Sequence, residues 1–217
     1  MTSSTPVARL VGALLTVQLA GLIVPFALLA PLMPAEFLQT AAERSTQLKT
    51  AVALLFLNGA LTVGISVVLW PILRPRSERG TVLLVAAAVA MFTLQAVDNA
   101  HLLTMVSLSR RHLTEGGGEL LVAMGALVRE TRRWLHYTAL LGIELWIGTL
   151  YGLLLCSGLV PRALALAGLT TVLLHFAGVV LPFWLGRPGV VPLAMAMGVA
   201  HLVLAWWLVT RGFRVAE

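Results

Sequence analysis

Residues Trp134–Ser157 read WLHYTALLGIELWIGTLYGLLLCS. These 24 residues carry one carboxylate, Glu144, one imidazole, His136, and no lysine or arginine. A stretch this long and apolar exceeds the roughly 20 residues that cross the hydrocarbon core of a bilayer. With no water to bind them, its backbone groups must pair within the segment, so it is a transmembrane helix. His136, Glu144 and Tyr151 stand eight and seven residues apart, and at about 100° per residue they share an arc of about 80°. The helix therefore presents a single polar stripe.

Working outward, five more segments have the same character: 10–32, 49–70, 80–109, 161–184 and 190–210. Hydrophobic residues make up 59% of the chain and charged residues 11%, against roughly 25% charged in soluble domains. The expected fold class is all-α, an integral membrane bundle of about six transmembrane helices forming one domain over residues 1–217. The first span is read as retained rather than as a signal peptide, because it outruns an h-region of about 7–15 residues and contains Pro25. Trp70, Trp134, Trp184, Trp206 and Trp207 fall near span ends, where amphipathic rings prefer the interface. Pro71 and Pro161 mark a helix end and a helix start.

The net charge of +6 does not indicate nucleic acid, because the arginines flank apolar blocks instead of gathering on one face. Cys156 is the single cysteine, which excludes an intrachain disulfide and a thiol-rich metal motif. Between the third and fourth spans, Leu120, Leu121, Met124, Leu127 and Val128 share a helical face while Arg129, Glu130, Arg132 and Arg133 take the other. That pattern predicts a candidate interfacial helix over 119–133. With six spans both termini share one side. The compact Arg74–Arg79 cluster favours a cytoplasmic location for it, although the arginine and lysine count is seven against eight.

Three motifs in order carry a family resemblance: Leu69-Trp70-Pro71-Ile72-Leu73-Arg74-Pro75 closing the second span, Phe92 with Asn99 in the third, and Ser157-Gly158-Leu159-Val160-Pro161-Arg162 before Leu164 and Gly168. The chain resembles a bacterial six-span membrane family described only as a domain of unknown function, number 4386. It departs from that pattern at Asn58, where members often carry aspartate, and at Thr93, where they often carry arginine. The resemblance implies a six-helix fold in a bacterial inner (cytoplasmic) membrane. It implies no activity and no catalytic residues.

Ionisable side chains are costly in hydrocarbon, so each asks for a partner or a purpose. Here they are Asp98, His101, Glu144, His175 and His201, with His136 near a mouth. Gln95, Asp98 and Asn99 share an arc of about 100° on the third span, and Asn58, Thr62 and Ser66 form a stripe on the second. Converted to depth, Asn58, Asp98, His101, Glu144 and His175 fall in the half away from the termini, as if lining one pocket. A buried acid–histidine pair also has a plainer use, tying helices together for about 0.6–2 kcal/mol. Asn58, Thr62 and Ser66 read most simply as small polar residues in close helix packing, and Trp146 with Met91, Met105, Met195 and Met197 as core filler.

Three functions follow. The first in rank binds or transports a small amphiphilic ligand or ion, with Gln95, Asn99, His136, Tyr151 and Asn58 as ligand-binding candidates. Transport by so small a chain calls for a homodimer. The second is an intramembrane enzyme on a lipophilic substrate, with Asp98 and Glu144 as catalytic acid and base. The third is a metal or haem site on His101, His175 and His201, although the sequence requires no cofactor. The expected partner in every case is the lipid bilayer, with no nucleic acid.

Overall fold

The computed structural model describes residues 4–32 and 37–214. Six long helices follow one another: α1 (Ser4–Leu29), α2 (Ser45–Leu73), α3 (Glu78–Glu115), α4 (Glu119–Ser157), α5 (Arg162–Trp184) and α6 (Val191–Thr210). A 3₁₀ turn, Ala30–Leu32, ends α1 and a one-turn helix, Phe37–Thr40, precedes α2. No strand occurs among the described residues. All six helices are long and apolar enough to cross a membrane. The expected all-α, six-span architecture is therefore the observed one, and the chain is a multi-pass membrane protein.

Two helices are far longer than their apolar cores. At 1.5 Å per residue, the 38 residues of α3 and 39 of α4 rise about 57–58 Å, against a hydrocarbon core of about 30 Å. The overrun carries Arg110, Arg111, Arg129, Arg132 and Arg133. These charges mark where the membrane ends, yet arginine is a good helix former and does not end the helix. Two left-handed glycines end α3, Gly116 (φ 83°) and Gly117 (φ 68°), a conformation that side chains resist. The segment 119–133 is helical as expected, but it joins the fourth span without a break because no proline interrupts α4.

The chain divides into two compact units: Met1–Leu19, Leu61–Met91 and Leu140–Glu217 form the first, Ala20–Ala60 and Phe92–Ala139 the second. In the first unit, Val11 and Leu15 of α1 share a core with Ile65, Leu69 and Leu73 of α2, Leu84 of α3, Ile147, Leu150 and Leu154 of α4, and Leu204 and Leu208 of α6. These positions recur at helical spacing, which is why each helix buries one stripe. Gly12 lets α1 lie close against the backbone of α6, since a Cβ there would lie 2.7 Å from the Ala205 carbonyl oxygen.

The second unit packs Phe37 and Leu38 with Leu48, Ala51 and Leu55 of α2 and Leu102, Met105 and Val106 of α3. Ser109 fastens the short helix to α3: its hydroxyl donates to the Leu38 carbonyl and accepts the Ala42 N–H, both at 2.8 Å. The apolar face expected on 119–133 is divided. Leu121 and Val128 pack on this core and Gly125 admits the Leu38 side chain, whereas Leu120, Met124 and Leu127 are exposed.

Candidate functional site

In the second unit the organising residue is Asp98, which is 2% exposed. Arg132 and His136 stand one turn apart on α4, so both side chains meet the same carboxylate. The Arg132 Nε lies 3.4 Å from Oδ1, and the His136 Nδ1 lies 3.7 Å from Oδ2. A lone buried carboxylate is costly, and a guanidinium with an imidazole offsets that cost. His136 is further set by edge contacts with Phe26 and Tyr137, at ring-centroid distances of 6.4 and 5.7 Å.

The amide residues of α3 lie beside this cluster on the same helix. Gln95 donates to the Asn99 side-chain oxygen at 3.1 Å, and the Asn99 amide reaches the Val52 carbonyl of α2 at 3.5 Å. Asn58 is buried on α2 near Gly21 of α1, where a Cβ would stand 3.1 Å from its amide nitrogen. Phe92, one of the family-like positions, packs edge-on to Phe56 and covers Gly59. His101 instead bonds the Val97 carbonyl of its own helix at 3.0 Å.

Arg132 and His136 also border a cleft of about 470 Å³, lined by Met105, Arg129, Glu130, Arg132, Arg133, His136 and Tyr137. Its size lies in the range of small-ligand sites, roughly 300–1,000 Å³. The wall carries three guanidiniums and the Glu130 carboxylate, and with Asp98 behind Arg132 the three positive charges face two negative ones, which leaves the cleft basic. Sequence reading placed Asp98 and His136 among the candidates and put Arg129, Arg132 and Arg133 on the polar face of a candidate interfacial helix. The signal that links them was present in the i, i+4 spacing of Arg132 and His136.

The first unit holds the other candidates. Glu144 of α4 and His175 of α5 are 8% and 5% exposed, and a hydrogen bond joins Oε1 to Nδ1. Seven residues along, the Tyr151 ring lies on Gly168, where a Cβ would meet the ring carbon Cε1 at 2.2 Å. The two spacings run in opposite senses, so α4 and α5 pair in antiparallel register. The Tyr151 hydroxyl approaches His201 Nδ1 of α6 at 3.4 Å, with the two rings edge to face. Trp146, expected to be filler, has a polar role as well: its indole N–H donates to the Ser66 hydroxyl at 2.8 Å. Ser66 donates in turn to the Thr62 carbonyl at 2.9 Å, and Gln18 of α1 bonds the Thr62 hydroxyl.

The site candidates thus form two groups. Asn58, Gln95, Asp98, Asn99, His101 and His136 belong to the second unit, and Glu144, Tyr151, His175 and His201 to the first. Among the described residues, no three His, Cys, Asp or Glu side chains gather closely enough to hold a metal ion.

A family model described as "Domain of unknown function (DUF4386)" matches residues 10–212. The chain belongs to this family. The match runs from the first span to the last and includes all three motifs noted in the sequence. Membership assigns no reaction and no ligand, so function is argued from the two polar groups. No curated protein and no solved structure matches the chain.

Proposed function

We propose that this protein binds a small anionic amphiphile at the membrane interface, with the headgroup held in the basic cleft of the second unit. The observation that carries the reading is the convergence of Arg129, Arg132, Arg133 and His136 on one cleft of about 470 Å³. Guanidinium groups bind phosphate and carboxylate through paired, charge-assisted hydrogen bonds, and they do so best where water is partly excluded. Asp98 serves as a positioning residue: it holds Arg132 and His136, so the headgroup meets a fixed pair rather than two free side chains. Tyr137 and Met105 supply an apolar wall for the first carbons of the tail.

The location of the cleft supports an amphiphile over a free ion. It lies where α4 passes from its arginine-rich turns into the apolar stretch beginning at Trp134, the depth at which headgroup and acyl chain meet. With both termini cytoplasmic, the α3–α4 connection and its cleft face outward.

The test is native mass spectrometry of the purified protein with phosphatidylglycerol and phosphatidylcholine offered in equal amounts. Preferential retention of the anionic lipid, lost in the Arg129→Gln/Arg133→Gln double variant, is expected. Equal retention of both lipids by the wild type contradicts the proposal.

A further inference from the structure

The first unit contains a second polar centre that plays no part in the cleft. Its buried titratable groups are Glu144 and Tyr151 on α4, His175 on α5 and His201 on α6. The segments of α1, α2 and α3 in this unit add buried Gln18, Thr62, Ser66 and Thr81, none of which titrates near neutral pH. Among the described residues, two buried polar atoms of the centre have no hydrogen-bond partner: Oε2 of Glu144 and Nε2 of His201. Buried polar atoms are nearly always satisfied, and an unpaired carboxylate oxygen within a span is an especially costly exception.

The backbone beside the pair is also irregular. A π-helical turn, Phe176–Val180, starts at the residue after His175. Its cause is local, because Pro182 cannot supply the N–H that Gly178 would receive in a regular helix. The Gly178 carbonyl accepts the Val190 N–H instead, at 2.7 Å. Gly178 is also the residue at which Leu193 of α6 crowds α5, so the turn is held from both sides. Single π turns are rare and concentrate at functional positions, since one added residue re-aims the side chains next to it.

We propose that Glu144 and His175 form a proton-binding site within the spans. In the unloaded form a carboxylate accepts one hydrogen bond from the Nδ1–H of a neutral imidazole, and the pair carries a net charge of −1. One proton added at Oε2, the oxygen that His175 does not occupy, converts the carboxylate to a neutral acid and takes the pair to zero charge. No oxidant or co-reactant is required, and the proton comes from solvent. The π turn begins directly after His175, so α5 is regular up to the imidazole and irregular just beyond it. This site is independent of the basic cleft.

Infrared spectroscopy of the full-length protein in nanodiscs, titrated across roughly pH 5 to 8 in H₂O and D₂O, tests the proposal. The expected result is a protonated-carboxyl band that grows and fades with pH, shifts in D₂O, and is lost in Glu144→Gln while it remains in Asp98→Asn. A band pattern that is constant with pH, or one unaffected by Glu144→Gln, overturns it. If Glu144→Gln does not fold, nitrogen NMR of the histidine rings in the wild type decides. A His175 ring whose hydrogen-bonding signature shifts with the same midpoint as the carboxyl band supports the site, and one that never changes overturns it.

Discussion

Replacing Gly168 with alanine adds one methyl group where the structure has no room for it. A Cβ at this position would lie 2.2, 2.3 and 2.4 Å from Cε1, Cδ1 and Cζ of Tyr151, whereas carbon atoms rest about 3.5–4.0 Å apart. The ring or the helix must therefore yield by more than about 1 Å. Overpacking of this kind costs about 1–3 kcal/mol, and the better helix propensity of alanine returns up to about 1 kcal/mol. A net loss of about 1–2 kcal/mol is expected, which for a chain of 217 residues lowers the unfolding midpoint by about 2–8 °C. Tyr151→Phe does not relieve the clash, because all three contacts are to ring carbons. Tyr151→Ala does relieve it, at its own cost of about 3–5 kcal/mol for the lost aromatic packing. The assay is a double-mutant cycle on detergent-solubilised protein: Gly168→Ala should destabilise the wild type and be neutral or stabilising in the Tyr151→Ala background. Equal cost in both backgrounds refutes the antiparallel register of α4 and α5.

Two further substitutions probe the polar groups separately. Arg132→Gln leaves Asp98 buried with only His136 opposite, and a loss of about 1–3 kcal/mol is expected, reduced from the value for a fully buried pair because Arg132 is 16% exposed. Adding Asp98→Asn should recover part of that loss in denaturant unfolding, and no recovery would mean that the pair is not coupled. Trp146→Phe keeps the ring and removes the N–H to Ser66, so a loss of about 0.6–1.7 kcal/mol is expected by the same assay. An unchanged midpoint would return Trp146 to pure packing.

How far the sequence revealed this molecule differs between fold and site. Hydropathy located six spans, because about 20 apolar residues have few other uses. It cut α3 at Ser109 and began α4 at Trp134, since it senses where charge starts and not where the helix stops. Periodicity placed His136, Glu144 and Tyr151 on one stripe, yet the structure assigns His136 to the second compact unit and the other two to the first. The angle of a residue about its own helix is local information, and the rotation of that helix against its neighbours is not. The same limit explains why Leu121 and Val128 pack while Leu120 and Leu127 stay exposed, and why the polar face of 119–133 gave no sign that Arg132 meets Asp98.

The most direct test of the basic cleft is photo-crosslinking in nanodiscs with an anionic phospholipid whose reactive group sits next to the phosphate. Peptide mapping should find adducts concentrated on residues 129–137 and Met105, strongly reduced in Arg129→Gln/Arg133→Gln and absent with a zwitterionic analogue. Adducts spread evenly over the exposed apolar faces, and indifferent to headgroup charge, would contradict the account.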